Sequence, residues 1–109
     1  MIRCDRYNTL IGQMATLLGE EIPSRSKIAR YVWARVMVAY EMTLENYPST
    51  EIGRQMGRDH STVIYYRNKM KDALDYPHIF PDIIEIWNEF KNTIDHEIQS
   101  RTVRHPVGL

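Results

Sequence analysis

Hydrogen-bonding side chains are concentrated at residues 57–63, where a glycine precedes Arg58, Asp59, His60, Ser61, Thr62 and Val63. A helical pattern continues from this run to about residue 74, and a short amphipathic segment, residues 49–56, leads directly into it. Two short helices joined by a glycine turn, the second opening with polar side chains, form the arrangement with which a helix-turn-helix enters the major groove of DNA. We therefore expect residues 59–71 to be a recognition helix.

The polar side chains of this run all have chemical partners on DNA. Asp59 can accept a hydrogen bond from a cytosine amino group, and His60 can bond a purine N7 or pack on a thymine methyl group. Ser61 and Thr62 can reach a base edge or a phosphate, and Arg58 can pair with a phosphate or a guanine. The alternative for Asp59, and the one favoured when the residue is considered alone, is an ordinary helix cap that accepts from the backbone N–H of Thr62. A carboxylate has enough acceptor sites for both roles.

A basic loop, residues 24–27, precedes the longest predicted helix. Such a loop can follow the DNA backbone or place Arg25 in a narrow minor groove, and the alternative is an ordinary solvated loop. We expect contacts to phosphates or the minor groove from seven cations: Arg25, Lys27, Arg30, Arg35, Arg58, Arg67 and Lys71.

The formal net charge of zero hides an uneven distribution. Residues 22–71 carry nine basic and four acidic side chains, whereas the rest of the chain carries five basic and ten acidic ones. A basic middle with acidic ends is typical of a nucleic-acid binder, and the alternative is a set of charges scattered over a solvated surface.

A single domain is expected over residues 1–109, because a chain of this length that is 43% hydrophobic can bury a core. The lone Cys4 has no internal partner, which suits a reducing compartment. No apolar run approaches the roughly 20 residues that cross a bilayer, and the N-terminus lacks the apolar segment of a signal peptide. We expect a cytoplasmic protein without membrane contact.

The elements that must position these side chains are all predicted to be helical, because no stretch alternates as a strand does. Gly19 and Pro48 are expected to end helices, and Ser24 or Ser26, and Ser49 or Thr50, to cap the helices that follow. A glycine inside the third helix, Gly53, predicts a close approach of neighbouring backbone. The five predicted helices cover about residues 6–18, 27–47, 49–56, 59–74 and 81–100.

Catalytic and metal chemistry are not expected. The four histidines, His60, His78, His96 and His105, lie far apart in the sequence, and a single cysteine completes no common zinc set. There is no glycine-rich phosphate loop. We therefore predict neither a metal site nor a cofactor, and no enzyme; a small enzyme with a closed polar pocket is the least favoured alternative.

The run from Arg58 to Val63, with Glu51, Ile52 and Gly53 ahead of it, resembles the C-terminal DNA-binding domain of the bacterial replication initiator DnaA. The signature of that family is Gly-Gly-Arg-Asp-His-Thr-Thr-Val, and the similarity covers about residues 7–74. The resemblance implies that Asp59, His60 and Ser61 read bases in the major groove and that Thr62 contacts DNA beside them. It also places Arg25 in a loop whose arginine enters the minor groove.

The chain departs from the family pattern at several positions. One glycine, Gly57, stands where the family has two, and the connection around Pro48 is longer. A family arginine and a phosphate-contacting lysine on the long helix align with Val32 and Tyr40, so Arg30 or Arg35 is expected to replace them. The ATPase module of the initiator has no counterpart here.

Two functions fit these sequence features. The first is sequence-specific binding of double-stranded DNA in replication initiation or its regulation. The alternative is a protein-interaction module that keeps the fold without DNA binding and docks a partner or a second copy through the helix at residues 81–100. The apolar stripe of that helix runs through Ile83, Ile86, Trp87, Phe90, Ile94 and Ile98.

Overall fold

Five helices make up the part of the chain that the computed structural model describes, which is the backbone of residues 5–102 and the side chains of residues 5–95. In chain order they are α1 (Arg6–Leu18), α2 (Ala29–Leu44), α3 (Ser49–Met56), α4 (His60–Asp75) and α5 (Pro81–Thr102). No strand occurs over residues 5–102, and the predicted all-α class is confirmed. The predictions on Cys4, on His105 and on the side chains of His96 and Ile98 lie outside the described residues. None of the described helices has the length and apolar character that crossing a membrane requires.

The longest buried run belongs to α2, which packs against both α1 and α4, while α3 packs mainly on α4. The buried face of α2 is wide, since every residue from 34 to 39 is buried. Leu44, the last residue of the helix, is 49% exposed. Other helices complete the core with Leu10, Met14, Ile52, Val63, Met70, Phe90 and Ile94.

The apolar stripe of α5 faces the core of its own chain. Trp87, Phe90 and Ile94 are buried there, and Ile83 and Ile86 are partly buried against the same cluster. The buried part of this stripe, Trp87, Phe90 and Ile94, is therefore not available to a partner or a second copy, contrary to the expectation from the sequence, whereas Ile83 and Ile86 keep some exposed surface. The exposed face of α5 is polar and carries Asp82, Glu85, Asn88, Glu89, Asn92, Thr93 and Asp95.

A buried ion pair also attaches α5 to α2. Lys91 Nζ lies 2.8 Å from Glu41 Oε1, and the Glu41 side chain is almost fully enclosed. Burial raises the pKa of Glu41 to about 7; the neighbouring Glu45 carboxylate adds to this rise and Lys91 opposes it. The pair supplies the charged partner that a buried carboxylate needs.

Three helices end in the same way, with a left-handed residue followed by a backbone hydrogen bond that closes the turn. The left-handed residues are Gly19, Asn46 and Gly57, with φ of 75°, 73° and 71°. The closing bonds run from Glu20 N–H to Ala15 O (3.1 Å), from Tyr47 N–H to Met42 O (3.0 Å) and from Arg58 N–H to Gly53 O (2.8 Å).

Helix α2 begins and ends at residues other than those predicted from the sequence, and α3 differs in its capping residue. Asparagine tolerates the left-handed conformation, so Asn46 ends α2 at Leu44, before Pro48 acts. Ser49 is the first residue of α3 rather than its cap, and neither Ser24 nor Ser26 caps α2, which starts after Ile28. Ser26 Oγ instead accepts the Ile28 N–H at 3.1 Å.

Candidate nucleic-acid interface

A tight turn at Gly57 joins α3 to α4. Gly57 adopts a left-handed φ of 71°, and Asp59 is extended just before the first residue of α4. Gly53, buried in α3, lies directly under this turn: a Cβ added there would stand 2.6 Å from the Arg58 carbonyl oxygen. The predicted close approach at Gly53 is thereby confirmed, and it sets the position of the backbone that carries Asp59 and His60.

The first side chains of α4 form a small polar group that is open to solvent. Ser61 Oγ donates to Asp59 Oδ2 at 2.9 Å, and His60 Nδ1 lies 3.3 Å from Asp59 Oδ1. The side chains of His60 and Asp59 are 56% and 69% exposed. The hydrogen bond from Ser61 holds the pKa of Asp59 below its ordinary value. Asp59 is therefore an anionic acceptor with free surface, which suits a donor such as a nucleobase amino group.

Asp59 occupies the N-cap position of α4, but the predicted capping hydrogen bond from the Thr62 N–H to its carboxylate is not formed. Its carboxylate makes no capping hydrogen bond to the start of α4. The N–H of Thr62 bonds instead to the backbone carbonyl of Asp59 at 3.0 Å. Because the backbone already satisfies that donor, the Asp59 side chain stays directed to its neighbours and to solvent.

The exposed face of α4 extends beyond the residues predicted from the sequence. Tyr65 is 59% exposed and follows Ser61 by four residues, so both lie on one side of the helix. Asn68, three residues further, is also exposed. Lys69 is half-buried, with Nζ 4.7 Å from the centre of the Trp33 ring and 5.9 Å from that of Tyr65. The spacing of four from Ser61 was the signal that could have identified Tyr65.

Two arginines hold the basic loop between α1 and α2. Arg35 donates from Nη1 to the Pro23 carbonyl at 2.8 Å and from Nη2 to the Ser26 carbonyl at 2.6 Å. Arg58 donates from Nη2 to the Ser24 carbonyl at 2.6 Å. Because Ser24 is thus bonded to the residue next to Asp59, the loop that carries Arg25 lies against the start of α4.

The phosphate contact predicted for Arg35 is wrong. Its side chain is only 3% exposed, and its guanidinium is enclosed and donates to the two loop carbonyls. The Arg35 guanidinium holds the loop through these two hydrogen bonds, and it has no exposed surface with which to bind a phosphate. The sequence correctly places a cation on α2, but it does not show whether the Arg35 side chain faces solvent or the interior.

The other cations predicted to contact DNA differ in exposure and in whether they already bond to a neighbour. Arg25, Lys27 and Lys71 are exposed, and Arg67 is half-buried. Arg30 is exposed but engaged, with Nε 2.8 Å from Glu20 Oε2, and its guanidinium holds the pKa of Glu20 below the ordinary value. Each of these five residues remains a predicted DNA contact.

Within the described side chains, no group of three histidine, cysteine, aspartate or glutamate residues lies close enough to hold a metal ion.

In a comparison with protein-family models, the model described as the bacterial dnaA protein helix-turn-helix matches residues 9–70. This range contains the arginine-held loop, the Gly57 turn and the exposed start of α4, and it ends before α5. No curated protein and no solved structure matches the chain.

Proposed function

Since this chain belongs to the bacterial DnaA helix-turn-helix family, we propose that it binds double-stranded DNA in a sequence-specific way, in replication initiation or its regulation. The observation that carries the proposal is the exposed group of Asp59, His60 and Ser61 at the first turn of α4, immediately after the Gly57 turn. Base-reading side chains occupy this position in helix-turn-helix proteins.

In the proposed complex the start of α4 enters the major groove. Asp59 accepts from a cytosine amino group, His60 bonds a purine N7 or packs on a thymine methyl, and Thr62 contacts a base edge or the nearby backbone. The hydroxyl of Ser61 donates to Asp59 Oδ2 at 2.9 Å and orients the carboxylate, which is 69% exposed and keeps acceptor capacity for a base beside its 3.3 Å contact with His60. Side chains that are held before binding lose less conformational entropy when they meet the DNA.

The loop beside α4 supplies the second contact. Arg25 is exposed and adjoins Ser24, whose carbonyl is bonded to Arg58. In the proposal Arg25 enters the minor groove next to the major-groove segment that α4 occupies. Lys27, Arg30, Arg67 and Lys71 contact phosphates. Together with Arg25 they make about five cationic contacts, which predict a slope of about −4 to −5 for log K against log salt.

The test begins by enriching random duplexes on the purified protein, and it continues with His60→Ala on the enriched duplex and on a scrambled one. We expect a loss of about 1–3 kcal/mol on the enriched duplex and little change on the scrambled one. His78→Ala is the matched control, because His78 is an exposed histidine in the connector beyond the far end of α4.

Two results would refute base reading. One is an equal loss on both duplexes for His60→Ala, and the other is an enrichment that yields no common sequence. Failure to bind any duplex would favour the alternative function, a protein-interaction module that has kept the fold.

A further inference from the structure

We propose that Arg58 and Arg35 are positioning residues, which lock the loop at residues 23–26 to the start of α4 so that Arg25 and His60 are presented as one rigid unit. The inference rests on the proposed function and deepens it. It gives Arg58 a role different from the phosphate or guanine contact expected from the sequence.

The loop has few other constraints. No regular structure links α1 to α2, and the hydrogen bond between Ser26 Oγ and the Ile28 N–H at 3.1 Å is local. Free loop residues lose conformational entropy when a single backbone conformation is imposed on them. A loop that had to be ordered only on contact with DNA would therefore bind more weakly than one ordered beforehand.

The arginine bonds supply that order before DNA is present. Three carbonyls, those of Pro23, Ser24 and Ser26, accept from charged guanidinium groups at 2.6–2.8 Å. Hydrogen bonds from a charged donor are about twice as strong as neutral ones. The accepting residues stand on both sides of Arg25, so its backbone is fixed while its side chain stays exposed.

The two arginines attach the loop to different elements of the structure. Arg35 is almost fully buried and ties the loop to the core helix α2. Arg58 ties the loop to the turn, since it is the residue between Gly57 and Asp59. The bond between Arg58 and Ser24 is therefore the direct link between the two proposed reading elements.

The first arm of the test uses the free protein. We expect Arg58→Gln to lower the backbone ¹⁵N order parameters of Ser24 and Arg25 from about 0.85 to below about 0.6, while α2 keeps its values. Arg54→Gln is the control, because Arg54 is an exposed arginine of α3 that bonds Glu51 and not the loop. Unchanged order parameters at Ser24 and Arg25 would overturn the proposal.

The second arm measures affinity for the enriched duplex in a double-mutant cycle. We expect Arg58→Gln to weaken binding at least about threefold, and to add little once Arg25→Ala is present, because Arg58 acts through Arg25. Losses that multiply in the double variant would show an independent DNA contact by Arg58 and would overturn the proposal. If the unsubstituted chain binds no duplex, the proposed function fails, and the order parameters still decide whether the loop is locked.

Discussion

Replacing Gly53 with alanine tests the close packing between α3 and the turn that carries the proposed site. The new Cβ would lie 2.6 Å from the Arg58 carbonyl oxygen, whereas ordinary contacts begin at 3.4 Å. That oxygen is backbone and cannot rotate away, so the turn has to move. Strain from an added methyl group in a packed site costs about 1–3 kcal/mol, and alanine recovers about 1 kcal/mol of helix propensity relative to glycine. Because the contact is with backbone, we expect strain of about 2–3 kcal/mol, in the upper part of that range, and therefore a net loss of about 1–2 kcal/mol in the free energy of unfolding.

Gly12→Ala is the matched control, because Gly12 lies within α1 and a Cβ there meets nothing within 4 Å. Only the gain in helix propensity applies, so this variant should be more stable by about 0.5–1 kcal/mol. Thermal unfolding followed by circular dichroism separates the two: Gly53→Ala should lower Tm by about 5 to 15 °C and Gly12→Ala should raise it by a few degrees. A Gly53→Ala variant as stable as the unsubstituted chain would refute the packing argument.

Three further predictions concern charge, the exposed face of α4 and phosphate contacts. Because the folded-state pKa of Glu41 is about 7 and its ordinary value is 4.5, stability should fall as pH rises from about 4.5 to about 7, by at most about 3 kcal/mol. Glu41→Gln should flatten this dependence in urea titrations at several pH values, and an unchanged slope would contradict the assignment. Tyr65→Ala should leave the free energy of unfolding within about 0.5 kcal/mol but weaken binding to the enriched duplex; equal affinity for both forms would exclude Tyr65 from the interface. Arg67→Gln and Lys71→Gln should each weaken binding to all duplexes alike and reduce the salt slope by about 1, as measured by titrations at several salt concentrations.

Helices whose ends are marked by strong local signals could be predicted well from the sequence. The observed bounds of α1 agree with the predicted ones, because Gly19 ends the helix. The position of Asp59 just before α4 follows from the turn at Gly57. The end of α2 was placed too late, because Asn46 was not recognised as a left-handed stop ahead of Pro48. Local spacing thus predicts where a helix exists better than where it ends.

The features of the candidate site that depend on residues adjacent in sequence could be predicted. Those that depend on contacts between distant residues could not. The polar run at the start of α4 is exposed as the turn pattern implies. Arg35 was misassigned because its acceptors, the carbonyls of Pro23 and Ser26, are backbone groups that no sequence motif marks. Arg58 is held by Ser24, 34 residues away, and such a contact exists only once α2, α3 and α4 have packed together.

The shared ending of α1, α2 and α3 has a practical consequence. Each of these turns is closed by a bond between a neutral backbone N–H and a carbonyl oxygen, and dissolved ions screen charges but not such bonds. If the chain binds DNA as proposed, concentrated salt should therefore release it from an immobilised duplex while its helices stay folded. Dilution would then restore attachment at once, with no refolding step, so one batch of protein could pass through many cycles of capture and release.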